Sequence, residues 1–203
     1  MQGNIELNSS LCYGENMGRL KKYSRPEVLE KAMSLFWQRG FADTGLQDLE
    51  KATGVNKSGL YSEFKDKEDI FLACLRHYFA TRSKLAVLTA EPLGWDNIER
   101  FFKLVSQNFT NEQKGCFGVN SMRELAQLPA EAHDLVIENR NRLKRLFLQN
   151  ISAEQTKMPA ELLADMLSTF FSGLCIEQNL KISSTTSDLE RKIEDFMQII
   201  RLM

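Results

Sequence analysis

The sequence has little backbone punctuation. Its 203 residues include 11 glycines and four prolines, roughly 7% together where about 12% is usual, and a chain so poor in turn formers is expected to be helical. Histidine is scarcer: there are two, His77 and His133, and neither stands in an H-E-x-x-H or E-x-x-H arrangement. Helix-borne zinc hydrolysis and di-iron chemistry thereby lose their usual ligands. The four cysteines, Cys12, Cys74, Cys116 and Cys175, are scattered with no C-x-x-C pair, which suggests neither a zinc site nor a disulfide framework. No metal and no cofactor is expected. Long apolar runs are missing as well. The longest, Ile70 to Leu75, has six residues against the about 18 that a membrane span needs, so no membrane partner is expected. Glu6 and Glu15 precede the first basic stretch, and no continuous apolar segment accompanies them; the expectation is a cytoplasmic protein without a secretory signal.

What is present is an ordinary globular balance, 43% apolar and 26% charged with a net charge of −1. The charges are unevenly placed. Arg19, Lys21, Lys22 and Arg25 form a basic cluster, residues 25–90 hold ten Lys or Arg against nine Asp or Glu, and residues 91–203 hold 13 against 16. On charge alone this is a weak pointer to DNA. Residues 1–23 are polar and lack periodicity, and read as a flexible arm ending in the basic cluster.

Helical period begins after the arm. Val28, Ala32, Leu35 and Phe36 lay one apolar stripe along a helix, Ser24 and Glu27 have capping-box spacing, Pro26 suits a first turn, and Gly40 marks the end. A second, short helix is expected from Thr44, paired with Gln47 as a capping box, to a stop at Gly54. Asn56 caps a third from about 57 to 64, and Asp66 a fourth running from Lys67 towards Leu88. After the break at Glu91-Pro92-Leu93-Gly94, further helices are expected at 95–109, 115–127, 129–151, 159–181 and 187–202. The fold class is all-α. The domains are expected at 24–70, a three-helix helix-turn-helix unit, and 71–203, a larger helical unit for effector binding and dimerisation.

The segment from Thr44 to Lys67 carries the functional signal. Two helices too short to stand alone, a turn at Gly54, and the anchors Leu49, Val55 and Leu60 make a helix-turn-helix pattern. Lys57, Ser58, Gly59, Tyr61 and Ser62 are small or hydrogen-bonding, as suits a helix that enters the roughly 12 Å major groove. The run from Arg25-Pro26 through residues 32–41 (AMSLFWQRGF), then Thr44, LQDL at 46–49, ATGV at 52–55, KSGLY at 57–61, Phe64 and KDKE at 65–68 resembles the DNA-binding domain of the TetR (tetracycline repressor) family.

That resemblance implies a homodimeric regulator, usually a repressor, released from double-stranded operator DNA by a small molecule. It places Thr44, with Gly45 and Gln47 beside it, and Tyr61 and Lys67 at phosphates. Lys57, Ser58, Gly59 and Ser62 fall at base edges or adjacent backbone. Helix N-termini, hydroxyls and ammonium groups all suit anionic oxygen, and lysine also suits guanine O6 and N7. Two residues depart from the family's pattern: Glu63, whose charge would repel backbone phosphate, and Glu50, where a small residue is common.

The C-terminal half supplies an apolar interior rich in aromatics and methionine. Trp95, Phe102, Phe109, Cys116, Met122 and Phe170 are the candidate walls of an effector site, which would suit an apolar or aromatic ligand. Cys116 opens a helix after Gly115 with Lys114 adjacent, a setting that lowers a thiol's pKa and makes it a candidate sensor of oxidants or electrophiles; a buried, inert thiol is the other reading. Leu162, Met166, Phe170 and Leu174, with Leu189, Ile193, Phe196 and Ile200, give the last two helices apolar faces for a homodimer, and Gly173 would permit close approach. The competing function is a helical small-molecule carrier or enzyme that keeps the helix-turn-helix for packing alone. Against it stands the lack of any nucleophile, base and orienter set in the sequence.

Overall fold

The computed structural model describes residues 23–82, 84–107, 115–179 and 186–203. Most of the expected arm, with Cys12, Arg19, Lys21 and Lys22, lies outside the described residues, as do Phe109 and Lys114. The helices are α1 (Arg25–Arg39), α2 (Leu46–Thr53), α3 (Lys57–Tyr61), α4 (Lys67–Thr81), α5 (Trp95–Gln107), α6 (Phe117–Ser121), α7 (Ala130–Ser152), α8 (Ala160–Asn179) and α9 (Thr186–Arg201), with 3₁₀ segments at Lys84–Thr89 and Met122–Gln127. No strand occurs among the described residues. Nor is any described helix long and apolar enough to cross a membrane.

The start of α1 follows the sequence closely. Ser24 accepts from the Glu27 amide while the Glu27 carboxylate accepts from the Ser24 amide at 3.0 Å, so two orphan donors are satisfied together. The start of α2 differs from expectation. Gly45, not Thr44, is the N-cap, and its amide donates to Asp48, not Gln47, at 3.0 Å. Thr44 is fully buried and its hydroxyl donates to the Gly40 carbonyl at 2.6 Å. Buried hydroxyls need a partner, and the turn supplies one before the helix begins.

Three further helices are shorter than their periodicity suggests. α3 ends at Tyr61 and α4 at Thr81, three and seven residues before the expected ends at 64 and 88. Leu85 and Leu88 are both buried, and a 3₁₀ turn brings residues three apart onto one line, so the second core selects the tighter winding. The stretch 115–127 breaks into α6 and a 3₁₀ segment kinked at Glu124, whose φ is −116°. Its carboxylate is turned back towards the amides that follow α1.

Two apolar cores form among the described residues. The first gathers Met33, Phe36, Leu49, Leu60, Ile70 and Phe71 and extends to Phe117, Ala132 and Val136 of α6 and α7. The boundary expected between residues 70 and 71 therefore falls inside α4, and residues 70–75 pack into this first core. Trp37 sits at the junction, stacked on Phe117 at 5.5 Å and edge-on to Tyr78 at 5.2 Å. The second core lies among α5, α7, α8 and α9. At one end Asn150, fully buried, donates to the Leu88 and Leu146 carbonyls at 2.8 Å and accepts from Gly94 and Asn97, fastening the 91–94 break.

The apolar faces expected for dimerisation are partly inward. Leu174, Leu189, Ile193 and Ile200 are buried in the second core. Leu162, Met166, Phe170, Gly173 and Ile176 of α8, with Phe196 and Ile199 of α9, remain partly or wholly exposed. A helix wedged between a core and a second surface carries two stripes, and residue type alone does not separate them.

Candidate nucleic-acid interface and internal cavity

A five-residue helix has no stability of its own, because nucleation costs more than one turn returns. Tertiary contacts hold α3. Leu49, Val55 and Leu60 are buried beneath it. Asn56 accepts from the Gly59 amide at 2.9 Å, and the Glu50 carboxylate accepts from the Lys57 amide. Glu50, a departure from the family's pattern, thus satisfies an N-terminal donor of α3. The turn before it is fixed by Thr53, whose hydroxyl donates to the Leu49 carbonyl at 2.7 Å and accepts from the Val55 amide at 3.2 Å, and by Gly54 at φ 75°.

Arg25 brackets the other end of α3. Its guanidinium donates to the Glu63 carbonyl at 3.1 Å, pairs with the Glu63 carboxylate at 3.4 Å, and lies 4.5 Å over the Phe64 ring. The repulsive charge anticipated at Glu63 is compensated within the protein. It also gives Arg25, counted with the basic arm, a second role in the scaffold.

The expected DNA-contacting residues divide into two groups. Lys57, Ser58, Tyr61 and Ser62 of the α3 region are exposed, as are Gly45 and Gln47 at the start of α2. Tyr61 is 42% exposed despite its ring, and the Lys57 ammonium lies 5.8 Å from that ring. Thr44, Gly59 and Lys67 are instead occupied inside the domain. The Thr44 hydroxyl is buried on the Gly40 carbonyl. A Cβ on Gly59 would lie 2.7 Å from Val55 Cγ1, so glycine is there for close packing. The Lys67 ammonium donates to the Phe41 carbonyl at 3.0 Å and lies 4.1 Å over the Phe41 ring. Sequence spacing identifies such residues but does not reveal which already have partners.

Residues 28–74 match the family model for bacterial regulatory proteins of the tetR family. Over that stretch the chain carries a TetR-family DNA-binding domain. It is 29% identical to the HTH-type transcriptional repressor ComR of Escherichia coli strain K12 over 96% of this chain and 94% of that protein. It is 24% identical to the HTH-type transcriptional regulator AcrR of Shigella flexneri over 87% of each. A cysteine variant of the TetR-family regulator CifR, solved with 26-base-pair operator DNA, shares the fold with a TM-score of 0.76 at 24% identity, over 89% of this chain and 98% of that one. The reduced form of E. coli NemR does so with a TM-score of 0.72 at 24% identity, over 86% and 95%. The chain is a DNA-binding transcriptional regulator, a non-enzymatic role.

Behind the DNA-binding unit lies a cavity of about 300 Å³ between α4 and the helices of the C-terminal half, within the size range of small-molecule sites. Phe79, Phe101, Val105, Leu143 and Phe171 give it apolar walls, and Cys116 lines it. An adjoining space shares Phe79, Cys116 and Phe171 and reaches Met122. Three other expected wall residues are elsewhere. Phe102 is fully buried against Phe147, Trp95 is buried in the second core, and Phe170 stacks on Phe196 at 3.7 Å. Helical spacing predicts burial but not which buried side chain borders a void. Phe79 and Phe171 have the same kind of helical spacing as side chains that fill the cores.

Of the two readings of Cys116, the electrostatics favour the inert thiol. It caps α6, yet burial pushes its pKa up, and this outweighs the Tyr78 hydroxyl, which donates to Sγ at 3.3 Å, and the amides of Val119 and Gly118. Its thiolate is suppressed, not favoured. Burial likewise raises Cys74 and Cys175.

Proposed function

We propose that the chain is a homodimeric repressor that leaves its operator when a small apolar molecule occupies the cavity lined by Phe79, Phe101 and Phe171. The observation that carries the DNA reading is the exposed face of α3, with Lys57, Ser58, Tyr61 and Ser62 free of the core while Leu60 anchors the helix from behind. Such a rigid tip suits the major groove, with Lys57 and Ser58 at base edges and Tyr61, Ser62, Gly45 and Gln47 at backbone oxygens. The exposed stripes of α8 and α9, around Phe170, Gly173, Ile176 and Ile199, support a two-fold four-helix interface. A Cβ on Gly173 would meet nothing within 4 Å among the described residues, which fits close approach by a second copy. Two α3 tips then lie about 34–36 Å apart, one turn of the duplex. An operator in the bacterial chromosome places the working protein in the cytoplasm.

Effector release follows from linkage. A ligand that binds better to an arrangement with the wrong tip spacing weakens DNA binding by the same factor that DNA weakens the ligand. The test is a gel shift on DNA upstream of the protein's own gene across a salt series. A specific complex that weakens steeply with salt is expected; binding with no preference over unrelated DNA at every salt concentration would overturn the reading.

A further inference from the structure

The cavity is lined by charged side chains as well as rings, and the charges share a sign. Arg82 and Lys84, which follow α4, line it, and Arg140 lines the adjoining space. No carboxylate borders either space among the described residues. The remaining lining includes rings and hydrocarbon, with Tyr78, Thr81, Cys116 and Asn139 as neutral polar points. Arg82 is not idle: its guanidinium pairs with Glu30 of α1, whose other oxygen lies 2.7 Å from His77 Nε2. Both members of the Arg82–Glu30 pair are about one-third exposed, at 37%, so the pair is partly solvated and exchangeable at modest cost.

We propose, resting on the reading of this cavity as the effector site, that it takes an apolar carboxylate. The hydrocarbon body lies among Phe79, Phe101 and Phe171, and the carboxylate takes Arg82 from Glu30 with Lys84 alongside. A neutral ligand of the same shape would gain the walls but leave the cations unused. A cationic ligand would meet like charge in a confined space, which is disfavoured. The planar guanidinium suits a carboxylate through two parallel hydrogen bonds, and lysine adds a point charge. The exchange also gives the ligand a route to the DNA-binding unit. Glu30 belongs to α1 and Arg82 follows α4, so an incoming acid dissolves an ion pair that ties the two helices together, while Glu30 keeps His77.

Isothermal titration calorimetry on the full-length protein, with naphthoate and phenylbutanoate compared with their primary amides, tests this. The acids are expected to bind about tenfold more tightly than the amides. Arg82→Gln should erase that preference and leave amide binding unchanged. Glu30→Gln removes the internal competitor and should tighten acid binding by about two- to fivefold, a gain that general destabilisation does not produce. Val105→Trp should block acids and amides alike. If amides bind as well as acids and Val105→Trp blocks both, the site stands and the anion proposal falls. If neither acids nor amides bind, or Val105→Trp changes nothing, the anion proposal falls together with the cavity reading beneath it. An acid preference that survives Arg82→Gln overturns the role of Arg82.

Discussion

The Glu124 carboxylate accepts from the Phe41 amide at 2.7 Å and from the Ala42 amide at 3.0 Å. One oxygen of a residue in the C-terminal half thus holds the two backbone donors that lead into the helix-turn-helix. Gly40 makes room for it: a Cβ there would lie 1.8 Å from Glu124 Oε1, and the φ of 87° already favours glycine. Glu124 lies in the 3₁₀ segment directly after α6, the helix that Cys116 caps at the cavity wall. A short stretch of chain, closed by these two hydrogen bonds, therefore joins the cavity to the DNA-binding unit, independent of the Arg82–Glu30 pair.

Glu124→Ala leaves both amides without that acceptor. Charge-assisted hydrogen bonds of this kind contribute about 1.5–3 kcal/mol, less where water can replace the acceptor, and the Ala42 amide is exposed. The expected loss of stability is about 1–2 kcal/mol in urea unfolding. The variant should also bind operator DNA with a reduced response to cavity ligands. Wild-type stability together with wild-type ligand response would show that the contact couples nothing.

On the DNA side, Tyr61→Phe is expected to weaken binding to every sequence, and Lys57→Ala to alter base preference with a smaller change in overall affinity. Lys67→Ala separates the two roles open to that residue. Its ammonium is held by the Phe41 carbonyl and ring, so the substitution should lower thermal stability without DNA present, by about 1 kcal/mol. A variant that loses DNA affinity and keeps its melting temperature would return Lys67 to the phosphate contacts. Gel shifts over a panel of single-base operator variants, alongside melts of the free proteins, read all three.

Asn150→Ala strips acceptor and donor from one buried place at once. The Leu88 carbonyl and the Gly94 amide each lose a partner, while the Asn97 side chain keeps the Ala90 and Pro92 carbonyls, and each buried orphan costs about 1–3 kcal/mol. The expected outcome is at least about 2 kcal/mol of destabilisation, with faster amide exchange across 88–97 by mass spectrometry. Protection unchanged in that stretch would mean that the break is fastened by other contacts.

Cys116 should be a slow nucleophile. Because burial raises its pKa, its thiolate fraction at neutral pH lies below that of a free cysteine and grows only as the pH rises towards the raised value. Iodoacetamide labelling followed by peptide mass spectrometry is expected to modify Cys116 more slowly than glutathione at pH 7 and to accelerate at alkaline pH. Labelling faster than glutathione would restore the reactive-sensor reading, and Cys116→Ser would then be expected to abolish release of DNA by thiol oxidants.

Much of the DNA-binding unit was legible in the sequence because its signals are local. The Ser24–Glu27 box, the Gly54 stop, the Asn56 and Asp66 caps and the buried Leu49, Val55 and Leu60 act within a few residues of themselves. The stripe of an amphipathic helix and the identity of its cap do not depend on what lies across the fold. What only the tertiary structure decided is non-local: that Thr44, Gly59 and Lys67 are occupied inside the domain, that Phe79 and Phe171 border a void while Phe102 fills the core, and that Glu124 bends its own helix to reach Phe41. Each depends on a partner far away along the chain. Burial of the Cys116 thiol follows the same rule, since desolvation is set by all surrounding atoms and overrides the favourable helix start that the adjacent residues suggest.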